Sequence, residues 1–315
     1  MEENKKTAIE KIYQLTKQDA EFNEELRKKL GITSSASSAL IDDDRLSHIY
    51  EYCIEKIISE QAENFYKNFP IKEIVTQLKE DFKRMDEFRR KNRFDDYSLA
   101  LYQQVERIIN YFFAQESFVK TINLLWNHIS YKTKNGEQRT ISNEIFGTGE
   151  YLTTGLERAQ KNQFNAKEKI KCVIYFIGGF WSENIYPAGF IKLSEEVSNI
   201  YLCRNTNHRG STQNDVSEKK LKEFSDLFSF TYFKFNAALV EFVRIVQEGF
   251  DKFVPQICNA EIISNFPGAC FVKIEDATQN EQIPEFLLKS IKGVEKGERI
   301  SLLIINGKIV SIINN

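Results

Sequence analysis

The chain has 315 residues, 43 Lys and Arg against 45 Asp and Glu, three histidines and a formal net charge of -2. A balance this close excludes a global field that would hold nucleic acid or an anionic membrane without a local patch. Five cysteines spread far apart with no C-x-x-C pair argue against a zinc ribbon, a thioredoxin-type site or a disulfide scaffold, and no apolar run approaches the length of a membrane span.

The N-terminus, Met1-Glu2-Glu3-Asn4-Lys5-Lys6, is polar and lacks the pattern of a signal peptide, so a soluble, cytoplasmic protein with reduced cysteines is expected. With five prolines against 25 phenylalanines and 13 tyrosines, the chain has few helix breakers and much aromatic surface for packing, so long helices are expected.

In chain order, residues 5–30 mix apolar and charged positions up to Gly31 and predict a loosely attached surface helix, followed by a Ser/Ala linker to residue 41. From Asp42-Asp43-Asp44 a helix carries Leu46, Ile49, Cys53, Ile54, Ile57 and Ile58 and stops before Pro70. Ile71 to Arg90 and Asp95 to Ala114 continue the helical pattern. The stripe Leu101, Tyr102, Val105, Ile108, Ile109 and Phe112 is apolar enough for the centre of the core, and Glu106 and Arg107 interrupt it.

Lys132 to Gly149 turns polar and predicts a long exposed loop, a candidate gate, before helices at Tyr151–Gln160 and Lys167–Phe180. A helix capped by Ser194 runs to Gly210, and Ser217 to Phe253 predicts one helix of about ten turns, long enough to span the domain or pack on a second subunit. After Pro255 short β-branched runs take over at Ala260–Ser264, Cys270–Ile274, Arg299–Ile305 and Lys308–Ile313, with Asn306-Gly307 as a two-residue hairpin turn. The expected architecture is mainly α, a helical bundle over 42–255, preceded by an N-terminal helix and linker over 1–41 and followed by a small β-rich unit over 256–315.

Chemistry concentrates in Tyr201-Leu202-Cys203-Arg204-Asn205-Thr206-Asn207-His208-Arg209-Gly210. Arg204 and His208 continue the apolar stripe Leu193, Val197, Ile200, Tyr201, so a cation and an imidazole either find partners there or line a cleft. At 100° per residue a spacing of four sets them about 40° apart on one helical face.

Arg204-Asn205-x-Asn207-His208-Arg209-Gly210 resembles the R-N-x-x-x-H signature of HEPN-domain proteins, helical domains that include metal-independent ribonucleases of toxin and antiviral defence systems. This chain has one residue fewer between arginine and histidine. The resemblance implies a HEPN-like bundle and an endoribonuclease in prokaryotic defence or a toxin system, with His208 as acid/base and Arg204 as phosphate clamp. It further implies that Asn205 and Asn207 orient the imidazole or phosphate, that Arg209 holds the RNA backbone, that Glu106 supports the site from an earlier helix, and that two copies pair as a homodimer. No metal or other cofactor is expected.

Arg89, Arg90, Lys91 and Arg93, within a basic stretch interleaved with Phe82, Phe88 and Phe94, are a second candidate RNA contact. Acidic residues intervene, and a solvated, salt-bridged helix explains the stretch as well. His48 and His128 have no ligand set around them in sequence. The competing function class is a noncatalytic helical scaffold, or an RNA- or nucleotide-binding subunit of a defence or regulatory complex, with the β unit meeting a protein partner or regulator.

Overall fold

The computed structural model describes residues 10–12, 14–15, 18–30, 43–125, 130–132, 135–179, 188–209, 215–275, 279–291, 293–305 and 307–313. Within these, the side chains of residues 30, 43–47, 130, 132, 138, 205–209, 215–217, 286 and 289–290 are left undescribed. The chain divides into two compact units, Met1–Asn68 and Phe69–Asn315.

Among the described residues of the first unit, two helices pack on each other, with Ile12 and Leu15 against the same cluster. Helix α1 (Ala20–Leu30) buries Phe22 and Leu26 against Cys53 of α2 (Asp43–Tyr66), with Ile49 and Tyr52 of α2 packed alongside. Phe22 stacks on Tyr52 at 6.0 Å between ring centroids, and the Tyr52 hydroxyl donates to Glu25.

The second unit is built around α4 (Phe94–Ala114), whose Leu101, Tyr102, Val105, Ile108, Ile109 and Phe112 are buried, as the stripe requires. It packs against α3 (Lys72–Arg90), α5 (Glu116–Leu125), α8 (Ala166–Cys172), α9 (Ala188–Arg209) and α11 (Phe228–Gly249). Asn92, at φ 52, makes the left-handed step between α3 and α4, a conformation asparagine tolerates better than most residues.

Three expectations are corrected. The segment from 132 to 149 is not a long exposed loop: β1 (Ser130–Lys132) pairs with β2 (Gln138–Thr140), and α6 (Ile141–Phe146) buries Ile141 and Phe146. Thr140 and Asn143 form a reciprocal capping box that starts α6 inside the polar stretch. After α7 (Glu150–Gln160), α8 widens into a π-helical turn, Val173–Ile177, which is wholly buried.

Ser194 does not cap α9, which begins at Ala188. Its hydroxyl is satisfied instead within the helix, donating to the Ile191 carbonyl at 2.8 Å. The long helix expected over 217–253 breaks at Leu227 into α10 (Asp215–Asp226) and α11. Leu227, at φ -104 and ψ 36, turns the chain so that Phe224 meets Phe235 at 5.3 Å, and the Thr231 hydroxyl donates to the Phe224 carbonyl.

The second unit ends in a five-stranded antiparallel sheet in the order β5-β4-β3-β6-β7, with β3 Pro255–Phe266, β4 Ala269–Ile274, β5 Asn280–Gln282, β6 Arg299–Ile305 and β7 Lys308–Ile313. One face buries Ile262, Val272, Leu302, Ile304 and Ile312 under Leu287 and Ile291 of a 3-10 helix. β7 also packs on α5, so β6 and β7 are covered on both sides and read as nearly continuous apolar runs. Strand β5, polar and exposed, has no β-branched residue to announce it.

No helix among the described residues is long and apolar enough to cross a membrane.

Candidate functional site

Helix α9 is buried along Leu193, Val197, Ile200 and Cys203, which places Arg204 at the edge of the core line rather than in it. Its guanidinium Nη2 stands 3.8 Å from Glu106 Oε1 on α4, and its Cζ lies 5.5 Å from the centre of the Tyr102 ring. Tyr102 packs in turn on Tyr201 with ring centroids 5.2 Å apart. One turn of α4, Tyr102 to Glu106, therefore supplies both the carboxylate and the aromatic face that hold one arginine of α9.

The Arg204 side chain keeps 19% of its surface exposed and that of Glu106 38%. Exposed on this scale and 3.8 Å apart, the pair adds little to stability, about 1 kcal/mol or less, and keeps the guanidinium beside Glu106 without a hydrogen bond that would set its direction. Tyr102 is a core residue by periodicity, and its second role was visible only in its place one turn before Glu106.

Glu106 has two polar neighbours on the same helix. Gln103 accepts from Arg84 Nη1 at 3.1 Å, and Arg107 Nε donates to Asp81 at 2.5 Å. Asp81 is fully buried and also faces Arg84 at 3.4 Å. The break in the apolar stripe at Glu106 and Arg107 is thus a polar edge of α4 reaching α9 on one side and α3 on the other.

The α9 backbone stays helical through Arg209, so the Cα positions of Arg204 and His208 lie one turn apart on an unbroken helix. The side chains of Asn205, Asn207, His208 and Arg209 lie outside the described residues, as does all of His128. His48 is exposed on α2 in the first unit.

Cys203, one residue before Arg204, is fully buried, and burial pushes its thiol up to about 12. It is a packing residue, not a nucleophile. About two turns earlier on α9, Glu196 pairs with Lys234 of α11 at 3.1 Å.

The second basic candidate is paired off. Arg89 and Arg90 both donate to Asp86, at 2.9 and 2.6 Å; Lys91 donates to Glu87 at 2.6 Å; and Arg93 meets Asp96 at 2.6 Å. Arg89 also lies over the Tyr232 ring at 4.6 Å and Arg93 over Phe88 at 5.1 Å. Arg93 immediately precedes α4, so about 20 Å of helix, at 1.5 Å per residue, separates it from Glu106.

Among the described residues no group of three or more His, Cys, Asp or Glu side chains is placed to hold a metal ion. No family model, no curated protein and no solved structure matches this chain.

Proposed function

We propose that the protein is a metal-independent endoribonuclease of the HEPN type, acting in prokaryotic defence or as a toxin, with its site on the C-terminal turns of α9. The observation that carries the reading is Arg204, held by Glu106 and Tyr102 with part of its surface still exposed, one helical turn before His208.

In this reading the 2′-oxygen of RNA attacks the adjacent phosphorus. The His208 imidazole accepts the 2′-hydroxyl proton, and a proton returns to the 5′-oxygen as its bond to phosphorus breaks. The products are a 2′,3′-cyclic phosphate and a 5′-hydroxyl. Arg204, always charged and forked, neutralises the developing charge on the phosphate oxygens. Asn205 and Asn207 orient the imidazole or the phosphate, Arg209 holds the RNA backbone, and Glu106 aims Arg204.

A noncatalytic binding subunit is the second reading, and one observation favours it: Arg204 already has a carboxylate and an aromatic face within the fold. In either case the exposed charges of the sheet, Glu261, Lys273, Glu275 and Arg299, mix both signs and suit a protein partner or regulator better than a phosphate backbone.

The test is incubation of wild type, Arg204→Ala and His208→Ala with mixed single-stranded RNA in EDTA. Fragments ending in 2′,3′-cyclic phosphate from wild type alone are expected. Intact RNA with all three proteins, or cleavage that needs a divalent ion, would sink the nuclease and favour the binding subunit.

A further inference from the structure

We propose that Arg84 and Arg107, both anchored on the buried carboxylate of Asp81, form a second phosphate-binding point for single-stranded RNA beside the Arg204 site. The inference rests on the RNA reading of α9 for the identity of its ligand, and it adds the path that the strand takes.

In the middle of α4, Gln103, Glu106, Arg107 and Asn110 are partly or wholly exposed between fully buried neighbours. At 100° per residue they fall within one arc of about 100°, a polar ridge with α3 packed on one side of the helix and α9 on the other. Toward α9 the ridge holds Arg204 through Glu106. Toward α3, Arg107 Nε donates to Asp81 Oδ2 at 2.5 Å, while Arg84 Nη1 donates to Gln103 Oε1 at 3.1 Å and faces Asp81 Oδ1 at 3.4 Å. Tyr201 lies against Tyr102 and Arg204 against Glu106, so α9 and α4 run in the same direction here. Arg107 therefore sits between the levels of Arg204 and His208, and a strand crossing this turn of α4 meets both sides.

Charge favours the same occupant. Asp81 is wholly buried, and a buried carboxylate needs a cation, for which one would suffice. Two are supplied, and the side chains of Arg107 and Arg84 stay 37% and 45% exposed. The group of three carries one net positive charge, while Glu106 and Arg204 cancel. Glu80 and Glu87, one turn to either side of Arg84, are already held by Lys83 at 2.8 Å and Lys91 at 2.6 Å.

Arg107 commits only Nε, so among the described residues its two Nη atoms meet no protein acceptor. Asp81 thus orients the fork and leaves its outer edge for a phosphate, the group such a fork grips with two parallel hydrogen bonds. Arg89 differs: it spends both Nε and Nη2 on Asp86 and lies over Tyr232. Contacts of this kind position a strand without reading its bases.

The test reads binding apart from cleavage, with a labelled 2′-O-methyl single strand that keeps the phosphates and lacks the attacking hydroxyl. Arg84→Gln and Arg107→Gln are each expected to weaken affinity about ten-fold at low salt, equally for different base sequences, and to lower the salt slope by about 0.7. Arg107→Lys keeps a cation beside Asp81 and so protects the fold. It is expected to weaken affinity about three-fold with the slope unchanged, a change that a purely structural ion pair would not produce. In single-turnover cleavage of ordinary RNA the variants are expected to reach the wild-type rate, but only at higher protein concentration. Wild-type affinity and slope in both Arg84→Gln and Arg107→Lys overturn the site even where RNA is still cut. A mononucleotide bound as tightly as the strand overturns the path across α4. A wild type that binds the strand through these arginines and never cuts RNA keeps the site and sinks the nuclease, whereas one that binds no strand sinks both.

Discussion

Arg204 on α9 and Glu106 on α4 meet at 3.8 Å although 98 residues separate them in the chain, and Tyr102, one turn before Glu106, lies beneath the same guanidinium. If Glu106 aims the arginine at a phosphate, its loss should cost rate rather than fold. Glu106→Ala is expected to lower RNA cleavage by about 10- to 100-fold, the scale of a misplaced catalytic group, while the urea midpoint moves by less than the equivalent of about 1 kcal/mol. Single-turnover cleavage beside a urea melt reads both. Unchanged cleavage with a shifted melt would reduce the pair to a structural contact.

The arginines at the end of α3 make the opposite case. Arg89 and Arg90 share Asp86, which is buried, and Arg89 covers Tyr232. Neutralising the outer members, Lys91→Ala with Arg93→Ala, is expected to leave RNA affinity within about two-fold and the salt slope unchanged, where two lost phosphate contacts on a single strand would lower that slope by about 1.4. Removing Asp86 instead strands two guanidinium groups beside the core, and Asp86→Ala is expected to cost about 1–3 kcal/mol in a urea melt. Binding to a labelled oligonucleotide over a salt series checks the first expectation.

The core helix α4 was legible because Leu101, Val105, Ile108 and Phe112 repeat at helical spacing, and the hairpin of β6 and β7 because Asn306-Gly307 divides two apolar runs. The break at Leu227 was not, since Ser225, Asp226 and Leu227 include neither glycine nor proline, and the contacts that accompany the turn, Phe224 on Phe235 and the Thr231 hydroxyl on the Phe224 carbonyl, are tertiary rather than local signals. The short helix α6 hid in a polar stretch because its N-cap, Thr140, and the N3 residue that completes the capping box, Asn143, are also ordinary loop residues. Of the candidate site, the Arg204 motif and the anomaly of Glu106 were each visible alone. That they touch depends on how α9 crosses α4, which no local pattern encodes.

The cysteines divide by burial. Cys53, Cys172, Cys203 and Cys270 are buried, and Cys258 is half-exposed on β3. Iodoacetamide at pH 8 is therefore expected to modify Cys258 first in the native protein and the other four only on unfolding, with mass spectrometry of peptides as the readout. Burial, the main cause, raises the Cys203 thiol from about 9 to about 12. The fold binds that proton more tightly than the unfolded chain does, so its contribution is complete below pH 9 and lost as pH climbs toward 12. Cys203→Val removes this titration, and its stability is expected to fall less steeply than that of wild type between pH 9 and 11 in urea melts. Equal slopes would mean that the thiol is not buried as described.

Gly249 at the end of α11 faces the π-helical turn so closely that a methyl group there would stand 1.8 Å from the Ile177 carbonyl oxygen. The obstacle is backbone, not a side chain that can rotate, and it belongs to a segment buried over all five residues from Val173 to Ile177. The widened turn and the glycine are two halves of one contact: α11 comes this close to the Ile177 backbone only because Gly249 has no side chain. Gly249→Ala gains helix propensity of about 1 kcal/mol, yet it must move one backbone segment off the other. A net loss of about 3 kcal/mol or more is expected, read as a lower urea midpoint. Gly189→Ala, where nothing lies within 4 Å of the added carbon, serves as the control and is expected to be neutral or stabilising. If both glycines behaved alike, the close approach of α11 to the π turn could not be what fixes the end of the helix.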